Sequence, residues 1–417
     1  MFSALRDLAD RFAKFTEAVI YDRVPSESER DGWLPGERLP ERRLPLLPLL
    51  TRAYGAFLKA LSVPFGLCAR ARLALYRQRI LRDTPLGCKV VVVGNLTVGG
   101  TGKTPVTEKL ARVLAERGRR VAILSRGYKS RSEPRWRRFW RWLTHGERPA
   151  PRVVSDGRQL CLDSEQAGDE PFMLARNLLP LRVAVVVNRD RVQAGEFAIE
   201  RFGCDTILLD DGLQYLPLRG QINLLLVDST NPFGNGWMLP GGILREPVAN
   251  LSRGHYILIT KCAAGGAPEL RARILALNPS AKIIECAHVP RNLSALDGLT
   301  VLPLDYLRGR RVATFSGIAT PERFEEFLER AGARIIHRRR FRDHHRFSED
   351  DLVDVFDEAS ARDAEFVVTT EKDAVRIDAE RKWRLPLFYL RLEIEIVSGG
   401  DVFEGAVDRI CEGLAAG

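Results

Sequence analysis

A glycine-rich stretch behind a run of β-branched residues carries the clearest chemical signal in the sequence. It reads VVVGNLTVGGTGKT at 91–104 and leads into a helical pattern from Pro105 to Arg117. Such a loop, placed between a strand and a helix, directs backbone amides at phosphate oxygens. Lys103 is suited to neutralise β/γ-phosphate charge, and the Thr104 hydroxyl to ligate Mg²⁺. The sequence thus predicts a nucleotide-binding P-loop, consisting of Thr97, Val98, Gly99, Gly100, Thr101, Gly102, Lys103 and Thr104.

One position departs from the usual G-x-x-x-x-G-K-[ST] spacing, because Thr97 stands where the first glycine is expected. Gly99, Gly100 and Gly102 still provide the conformational freedom that a phosphate cradle requires, so we expect a different entry turn. The alternative is a glycine-rich turn without a ligand. We favour the cradle because Gly-Lys-Thr follows a strand pattern and opens a helix, as the motif requires.

Two adjacent carboxylates provide a second signal. In TILLDDGLQ, residues 206–214, an apolar strand ends in Asp210 and Asp211. A neighbouring strand of a P-loop sheet often delivers the acidic Mg²⁺ ligand in this way, although aspartates at strand ends also serve simply as turn formers. We predict a metal role for the pair together with Thr104, and the sequence does not choose between the two aspartates.

The choice of nucleotide rests on a later strand. GTP-selective P-loop proteins carry Asn/Thr-Lys-x-Asp there, whereas this chain has Thr260-Lys261-Cys262-Ala263 and lacks the aspartate. The sequence therefore favours ATP, bound with Mg²⁺.

The strands expected around these motifs alternate with helical stretches. Continuous apolar strands separated by helices indicate an α/β fold with a parallel sheet buried on both faces. The predicted strands are Lys89–Val93, Val121–Ser125, Val183–Val187, Thr206–Asp210, Asn223–Asp228, Tyr256–Thr260, Arg311–Ser316 and Phe366–Thr370.

Composition and charge narrow the classes of partner. The 417 residues carry 64 Lys+Arg against 54 Asp+Glu, a formal charge of +10. This excess favours an anionic partner, such as nucleic acid, an acidic lipid surface or a phosphorylated substrate.

The seven scattered cysteines, without a Cys-x-x-Cys pair, favour a reducing compartment over a disulfide framework or a zinc site. The first residues lack the features of a signal peptide, so we expect a protein that is not exported.

An apolar and basic segment precedes the P-loop. Charges and prolines interrupt the apolar run 44–67, which argues against a membrane-spanning helix. A helix from about Thr51 to Arg82 could lie in a membrane interface with its arginines at anionic headgroups, or it could pack on the domain behind it with its arginines solvated. Both alternatives remain open from the sequence.

These patterns predict four parts. Residues 1–43 are an N-terminal extension with a short amphipathic helix and a linker, and residues 44–85 are the apolar and basic membrane-associating segment. Residues 86–295 form a P-loop NTPase-like parallel-sheet domain, and residues 296–417 a second, smaller α/β domain. The boundary is placed where a polar stretch precedes a new strand–helix–strand pattern.

The chain resembles the tetraacyldisaccharide 4′-kinase family, the lipid A kinases of Gram-negative bacteria. The similarity extends over roughly residues 45–375 and rests on motifs in a fixed order. They are GNLTVGGTGKTP, SRGY (125–128), GDEP (168–171), NRDR (188–191), LDDGLQ, FGNGWMLPGGILREP (233–247), FRDHHRF (341–347) and TEKDAV (370–375).

The resemblance implies an activity and a location. Enzymes of this family transfer the γ-phosphate of Mg-ATP to the 4′-hydroxyl of tetraacyldisaccharide 1-phosphate, forming lipid IVA. The expected partners are thus an anionic glycolipid and the cytoplasmic face of the inner membrane, where the protein would be peripheral. No nucleic-acid recognition module is evident in the sequence. The oligomeric state and the acyl-chain specificity do not follow from it.

The resemblance also implies roles for particular residues. Asp169 of GDEP corresponds to the family's expected base, His344 of DHH to its histidine partner, and Arg245 of LREP to an arginine on phosphate. Lys103 completes the predicted catalytic set. His345 is the alternative histidine, and the histidine pair could equally be a solvated loop. The weaker candidates for substrate contacts are Glu170, Arg189, Arg191, Gln214 and His345. The TEKDAV segment is expected to reach the nucleotide only when the two domains close.

The sequence departs from the family in two places. About forty residues precede the usual start, and residues 129–152 expand a region that is commonly short. This insert places Trp136, Trp140 and Trp142 among arginines, which suits either a headgroup-level membrane contact or a packed local helix. The roles of both additions stay open.

Overall fold

The α/β fold class predicted from the sequence is confirmed by a computed structural model, which describes residues 47–127, 149–263, 265–343, 345–379 and 381–412. The N-terminal extension and most of the 129–152 insert lie outside these residues, so the hypotheses about them are untested. The strands are β1 (Lys89–Asn95), β2 (Val121–Ser125), β3 (Arg152–Asp156), β4 (Ala184–Val187), β5 (Thr206–Asp210), β6 (Ile222–Asp228), β7 (Tyr256–Thr260), β8 (Lys282–Ala295), β9 (Val301–Pro303), β10 (Arg311–Ser316), β11 (Arg334–Arg340), β12 (Phe366–Thr370) and β13 (Leu387–Ser398).

The helices lie between these strands. They are α1 (Leu47–Arg77), α2 (Lys103–Glu116), α3 (Ser164–Ala167), α4 (Asp169–Leu178), α5 (Arg191–Phe202), α6 (Pro268–Leu277), α7 (Pro321–Arg330), α8 (Glu349–Ala361), α9 (Glu371–Ala374) and α10 (Gly400–Cys411). Short 3₁₀ turns cover Leu179–Leu181, Val248–Arg253 and Leu304–Leu307.

The described strands join in one continuous sheet. Their order is β11-β10-β12-β13-β8-β7-β6-β1-β5-β2-β4-β3, and β9 pairs with β8 off this path. Most neighbours are parallel, while β13 and β9 run antiparallel to β8, and β3 runs antiparallel to β4. The central strand β1 lies between β5 and β6 and is buried beyond its first residue, as the unbroken apolar run predicts.

Two apolar cores sandwich the P-loop part of the sheet. On one face α2, α4 and α10 pack through residues such as Leu114, Leu174 and Val407. On the other face α5 and α6 pack through Ala198 and Ile274. Helices on both faces exclude water from the strands, and the backbone polar groups are then satisfied by strand pairing.

The strands β8 and β13 connect two halves of the sheet. The P-loop half contains β1 to β7, and the C-terminal half contains β10 to β12. They pair antiparallel from Phe388 opposite Ala295 to Ile396 opposite Cys286. The last helix, α10, returns to the P-loop side, where Arg117 at the end of α2 bonds Glu404 at 2.6 Å and Asp408 at 2.7 Å. The division into domains 86–295 and 296–417 stays a prediction.

The helix α1 is shorter at its C-terminal end than the predicted 51–82 helix, because it stops at Arg77. It docks on the loop before Arg245. There the Gly241 amide donates to the Ser62 hydroxyl at 2.9 Å, and Gly66 lies against Met238. Away from these contacts, the helix exposes Phe57, Leu61, Val63, Phe65 and Leu67. Among the described residues we find no helix that is long and apolar enough to span a bilayer.

Five strands were missed by the sequence analysis, namely β3, β8, β9, β11 and β13. Pro290 and Asn292 interrupt the apolar pattern of β8, and the second half of β13 alternates with charged residues. The strand β11 lies at the sheet edge and ends in Arg338, Arg339 and Arg340, so its surroundings do not impose a continuous apolar pattern.

A buried ionic cluster holds the two halves together. The Arg391 guanidinium of β13 bonds Glu108 of α2 with Nη2 and Glu371 of α9 with Nη1. The amide of Asn177 donates to the same carboxylates, at 3.1 Å to Glu108 and 2.8 Å to Glu371. Burial raises the pKa of Glu371, so the arginine is needed to keep it ionised there without a large penalty.

We expect Arg391→Gln to lower the free energy of unfolding by about 3–5 kcal/mol, because it leaves buried carboxylates without their cation. The matched control is Arg384→Gln, whose partner Asp357 is exposed. That substitution should change the free energy by less than about 0.5 kcal/mol. Urea unfolding of both variants checks the difference, and equal effects would contradict the structural role of the cluster.

Candidate functional site

The site lies where four neighbouring parallel strands end. Asn95 ends β1, Asp210 ends β5, Asp228 ends β6 and Thr260 ends β7. Since β5-β1-β6-β7 are consecutive and parallel, their carboxyl ends share one edge of the sheet. Ligands of open α/β sheets bind at that edge.

The predicted P-loop lies over this edge and leads into α2. Gly102 caps the helix in the left-handed conformation, with φ 82°, and Gly99 has φ 106°. The Thr260 hydroxyl donates to the Thr101 carbonyl at 2.8 Å, and Lys261 Nζ donates to the Gly100 carbonyl at 2.7 Å. The loop is therefore anchored through two of its carbonyls by the last residue of β7 and the residue that follows it.

The entry turn explains how the chain accommodates Thr97 in place of glycine. The Thr97 hydroxyl accepts from the Asn95 side-chain amide at 3.0 Å. Thr97 forms an antiparallel bridge with Leu244, and the Val98 amide donates to the Ile243 carbonyl at 2.7 Å. The segment that leads to Arg245 thus pairs with the P-loop entry and replaces the usual glycine turn.

Asp211 lies between the two cations predicted for catalysis. Arg245 binds its carboxylate with two nitrogens, Nη1 at 2.9 Å and Nη2 at 2.8 Å, and Lys103 Nζ lies 3.6 Å from it. Burial alone would raise the pKa of Asp211, but the Arg245 hydrogen bonds and the Lys103 charge lower it to about 2. Lys103 also donates to the Asn95 side chain at 3.1 Å.

Asp210 has the opposite environment. Its side chain is buried, and the Thr107 hydroxyl lies 3.4 Å from it. Burial, followed by the charges of Glu170 and Asp211, raises the pKa of Asp210 to about 7. Thr104 is buried one helical turn before Thr107. A carboxyl group whose ionised form is disfavoured in this way fits a site completed by an added cation.

Gln214 and Arg191 are also brought to this edge. The Gln214 amide donates to the Asn95 carbonyl at 3.1 Å and to Glu246 at 3.2 Å. Arg191, at the start of α5, stacks over Tyr215, and burial lowers its pKa. Asp211 and Asp210 are near enough to act on the Arg191 charge. The Arg191 side chain also donates to the Arg189 carbonyl at 3.4 Å, which places Arg189 in the turn before α5.

Asp169 and Glu170 start α4 and meet cations from the C-terminal half. Arg376 lies 3.0 Å from Asp169 Oδ2 through Nε and 2.9 Å through Nη2. Lys372 Nζ lies 2.6 Å from Glu170. The TEKDAV segment was expected to reach the nucleotide on closure; in this structure Lys372 already contacts Glu170.

The histidine predictions have different outcomes. His344 lies outside the described residues, so its pairing with Asp169 stays a prediction. His345 stacks on Phe341 with ring centroids 4.8 Å apart, and its Nε2 lies 2.9 Å from Asp351 at the start of α8. The His345 ring is thus engaged by the C-terminal half.

Sequence analysis missed three residues at this edge. Asn95 contacts Thr97, Lys103 and Arg245, although its type gave no chemical signal. His288 of β8 lies against Gly102, and Arg376 pairs with Asp169. Arg376 follows directly on TEKDAV, so a longer motif could have included it. The contact of His288 is long-range and leaves no local sequence signal.

A parallel sheet that presents a glycine-rich phosphate loop, its lysine and a buried acidic strand end defines a P-loop kinase-type nucleotide-binding protein. The family model described as tetraacyldisaccharide-1-P 4′-kinase, LpxK, matches residues 54–412. The chain belongs to this family, which confirms the resemblance drawn from its motifs.

Individual relatives agree with this assignment. A tetraacyldisaccharide 4′-kinase of Anaeromyxobacter sp. (strain K) is 40% identical over 360 residues, which cover 85% of this chain and 90% of the relative. That of Geobacter metallireducens is 37% identical over 363 residues, 87% of this chain and 100% of the relative. The crystal structure of LpxK from Aquifex aeolicus in complex with ATP superposes with a TM-score of 0.67 at 26% identity, over 86% of this chain and 99% of that one.

We expect Gly102→Ala to destabilise the protein by about 1–3 kcal/mol, because alanine is strained in the left-handed region. The added Cβ would also lie 2.7 Å from His288 Nε2. The matched control is Gly100→Ala, where a Cβ meets no atom within 4 Å. Urea unfolding should show the control within about 0.5 kcal/mol of wild type. A loss as large at Gly100 as at Gly102 would refute this geometric account.

Proposed function

We propose that the protein transfers the γ-phosphate of ATP to the 4′-hydroxyl of tetraacyldisaccharide 1-phosphate, forming lipid IVA. The observation that carries the proposal is the shared edge of the sheet, where the phosphate loop and Lys103 lie close to the start of α4. The charge of Glu170 acts on Asp210 there, so α4 faces the acidic strand end. A phosphate donor site and a candidate base are thereby held by adjoining elements.

Asp169 is the proposed proton acceptor. A neutral sugar hydroxyl attacks phosphorus poorly, so a carboxylate within hydrogen-bond reach assists by accepting its proton as the new bond forms. Asp169 lies in the first turn of α4, where the helix dipole favours its ionised form. His344 is proposed as its partner on the strength of the family motif.

Arg245 and Lys103 are the proposed stabilisers of the transferred charge. The planar guanidinium presents several donors to phosphoryl oxygens, and the lysine acts as a compact charge. Arg245 Nε is buried without a hydrogen-bond partner among the described residues, so the guanidinium retains a donor beyond its pair with Asp211. Arg191 and Gln214 are proposed as further substrate contacts, with Glu170 and Arg189 as weaker ones.

The donor set fits Mg²⁺. Asp210 is buried and forms no ion pair within the described part of the chain, whereas Asp211 is matched by Arg245 and Lys103. No group of three or more His, Cys, Asp or Glu side chains among the described residues forms a preformed metal cage. Magnesium typically uses one or two carboxylates together with water and substrate phosphates. Thr104 and Asp210 would hold it, with Asp211 nearby, and the bound ion would neutralise phosphate charge.

The helix α1 is the proposed membrane contact. Leu58, Ser62 and Gly66, spaced by one turn, lie on or near its docked face. Phe57, Leu61 and Phe65 form the next row and are exposed. An apolar row on a helix with flanking arginines fits the headgroup region of an anionic bilayer. A peripheral position at the cytoplasmic face of the inner membrane follows from this proposal together with the lipid substrate.

A transfer assay tests the proposed reaction. With γ-labelled ATP, Mg²⁺ and tetraacyldisaccharide 1-phosphate in detergent micelles, wild type should label the lipid. Lys103→Ala and Asp169→Asn should lower the rate by about 10²-fold or more, because they remove charge neutralisation and proton acceptance. The exposed Arg384→Gln should match wild type. Hydrolysis of ATP or GTP without labelled lipid would overturn the proposal.

A sedimentation experiment tests the membrane contact. Replacing Phe57, Leu61 and Phe65 together with glutamate should reduce binding to phosphatidylglycerol-containing vesicles by at least about 10-fold, since apolar burial is lost and like charge is added. The matched control is Leu299→Glu, an exposed leucine of the C-terminal half. If the triple variant pellets with the vesicles as wild type does, α1 is not the anchor.

A further inference from the structure

The turn after α9 inserts an arginine beside the proposed base. Arg376 approaches Asp169 Oδ2 with Nε at 3.0 Å and Nη2 at 2.9 Å, and its side chain is 1% exposed. Arg346 also faces Asp169, but it lies 3.7 Å from Oδ1 and is 44% exposed. Of these two arginines, Arg376 is therefore the one that holds the carboxylate closely.

A second buried carboxylate binds the guanidinium nitrogen that does not face Asp169. Asp373, fully buried, accepts from Arg376 Nη1 at 2.8 Å. Its other oxygen accepts from the Gly317 amide at 3.0 Å and the Thr370 hydroxyl at 2.6 Å. The carbonyl of His345 accepts from Arg376 Nη1 at 3.2 Å. The guanidinium plane is thus set by three segments of the C-terminal half.

Arg376 is not the only arginine that joins the P-loop half to the C-terminal half. Arg391 already links β13 to α2 and α9 in a separate cluster. Burying another guanidinium between Asp373 and Asp169 is costly unless its geometry is well satisfied, and a buried ion pair is weak evidence for a gain in stability. Its distinctive effect is positional, because two nitrogens of the rigid guanidinium converge on Oδ2 of Asp169 and so fix where that oxygen lies.

We propose that Arg376 is the positioning residue for Asp169. It holds the carboxylate so that an oxygen can receive the proton of the acceptor hydroxyl. In the transfer, that O–H bond breaks towards Asp169, the hydroxyl oxygen bonds the γ-phosphorus, and the bond to the β–γ bridging oxygen breaks with ADP leaving. The inference rests on the function proposed above. It adds that the C-terminal half sets the geometry of a base carried by the P-loop half.

The first test compares two buried arginines of the same junction. Arg376→Gln should lower kcat for lipid phosphorylation by about 30–100-fold, while the KM for ATP stays within about 2-fold, because misplacing a catalytic group affects the transfer step. Arg391→Gln, assayed below its own unfolding temperature, should keep kcat within about 3-fold. If Arg376→Gln keeps wild-type kcat, or if both variants lose kcat equally, Arg376 has no positioning role.

The second test is a double-mutant cycle with Asp169→Asn, followed over long incubations with labelled ATP. If Arg376 acts through Asp169, adding Arg376→Gln to the Asp169→Asn variant should cost no more than about 2-fold. A full loss in that background would mean that Arg376 acts structurally or on another group, and would overturn the inference. Absence of labelled lipid with wild type would instead refute the proposed function, so the two failures are distinguishable.

Discussion

Most of the acidic side chains at the site and at the junction of the two halves are balanced by a fixed cation, and much of the remaining architecture follows from this constraint. Arg245 and Lys103 balance Asp211, Arg376 lies between Asp169 and Asp373, and Arg391 joins Glu108 to Glu371. Most of these cations come from a different element from the acid that they meet. Because a buried charge without a partner is costly, these pairs fix how the elements can pack.

Asp210 is the exception within this group, and that exception is chemically useful. Its neighbour Asp211 is held ionised by two cations, while burial pushes the pKa of Asp210 to about 7. Two adjacent aspartates thus have opposite electrostatic environments. The sequence did not distinguish the roles of the two aspartates. The difference in environment favours Asp210 as the carboxylate whose ionised form a bound cation would stabilise most.

A continuous set of contacts joins the proposed membrane helix to the phosphate loop. Ser62 and Gly66 of α1 rest on the segment around Gly241 and Met238. The same segment continues into Ile243 and Leu244, which pair with the loop entry at Val98 and Thr97. The exposed apolar row of α1 and the nucleotide cradle are therefore parts of one packed unit. The surface proposed to meet lipid thus has a defined position relative to the phosphate-donor site.

Local patterns predicted the parts that local physics controls. The strands that end at Asn95, Asp210, Asp228 and Thr260 were all expected, because a strand buried on both faces needs an unbroken apolar run. The first of them was predicted to end at Val93 and extends two residues further. The helix after the loop was expected from Pro105, but it begins at Lys103 because Gly102 adopts a left-handed cap. The ribbon of β8 and β13 was missed, since its stability comes from long-range pairing that tolerates polar residues.

The phosphate loop, the acidic strand end and the family were predictable from the amino-acid sequence, since each depends on residue types at fixed short spacing. Which charges meet depends instead on the packing of distant segments. The pairing of Arg376 with Asp169 spans more than two hundred positions, and that of Arg391 with Glu108 more than two hundred and eighty. No local pattern encodes such contacts. They arise only when the two halves pack together in the folded protein and water is excluded from the charges between them.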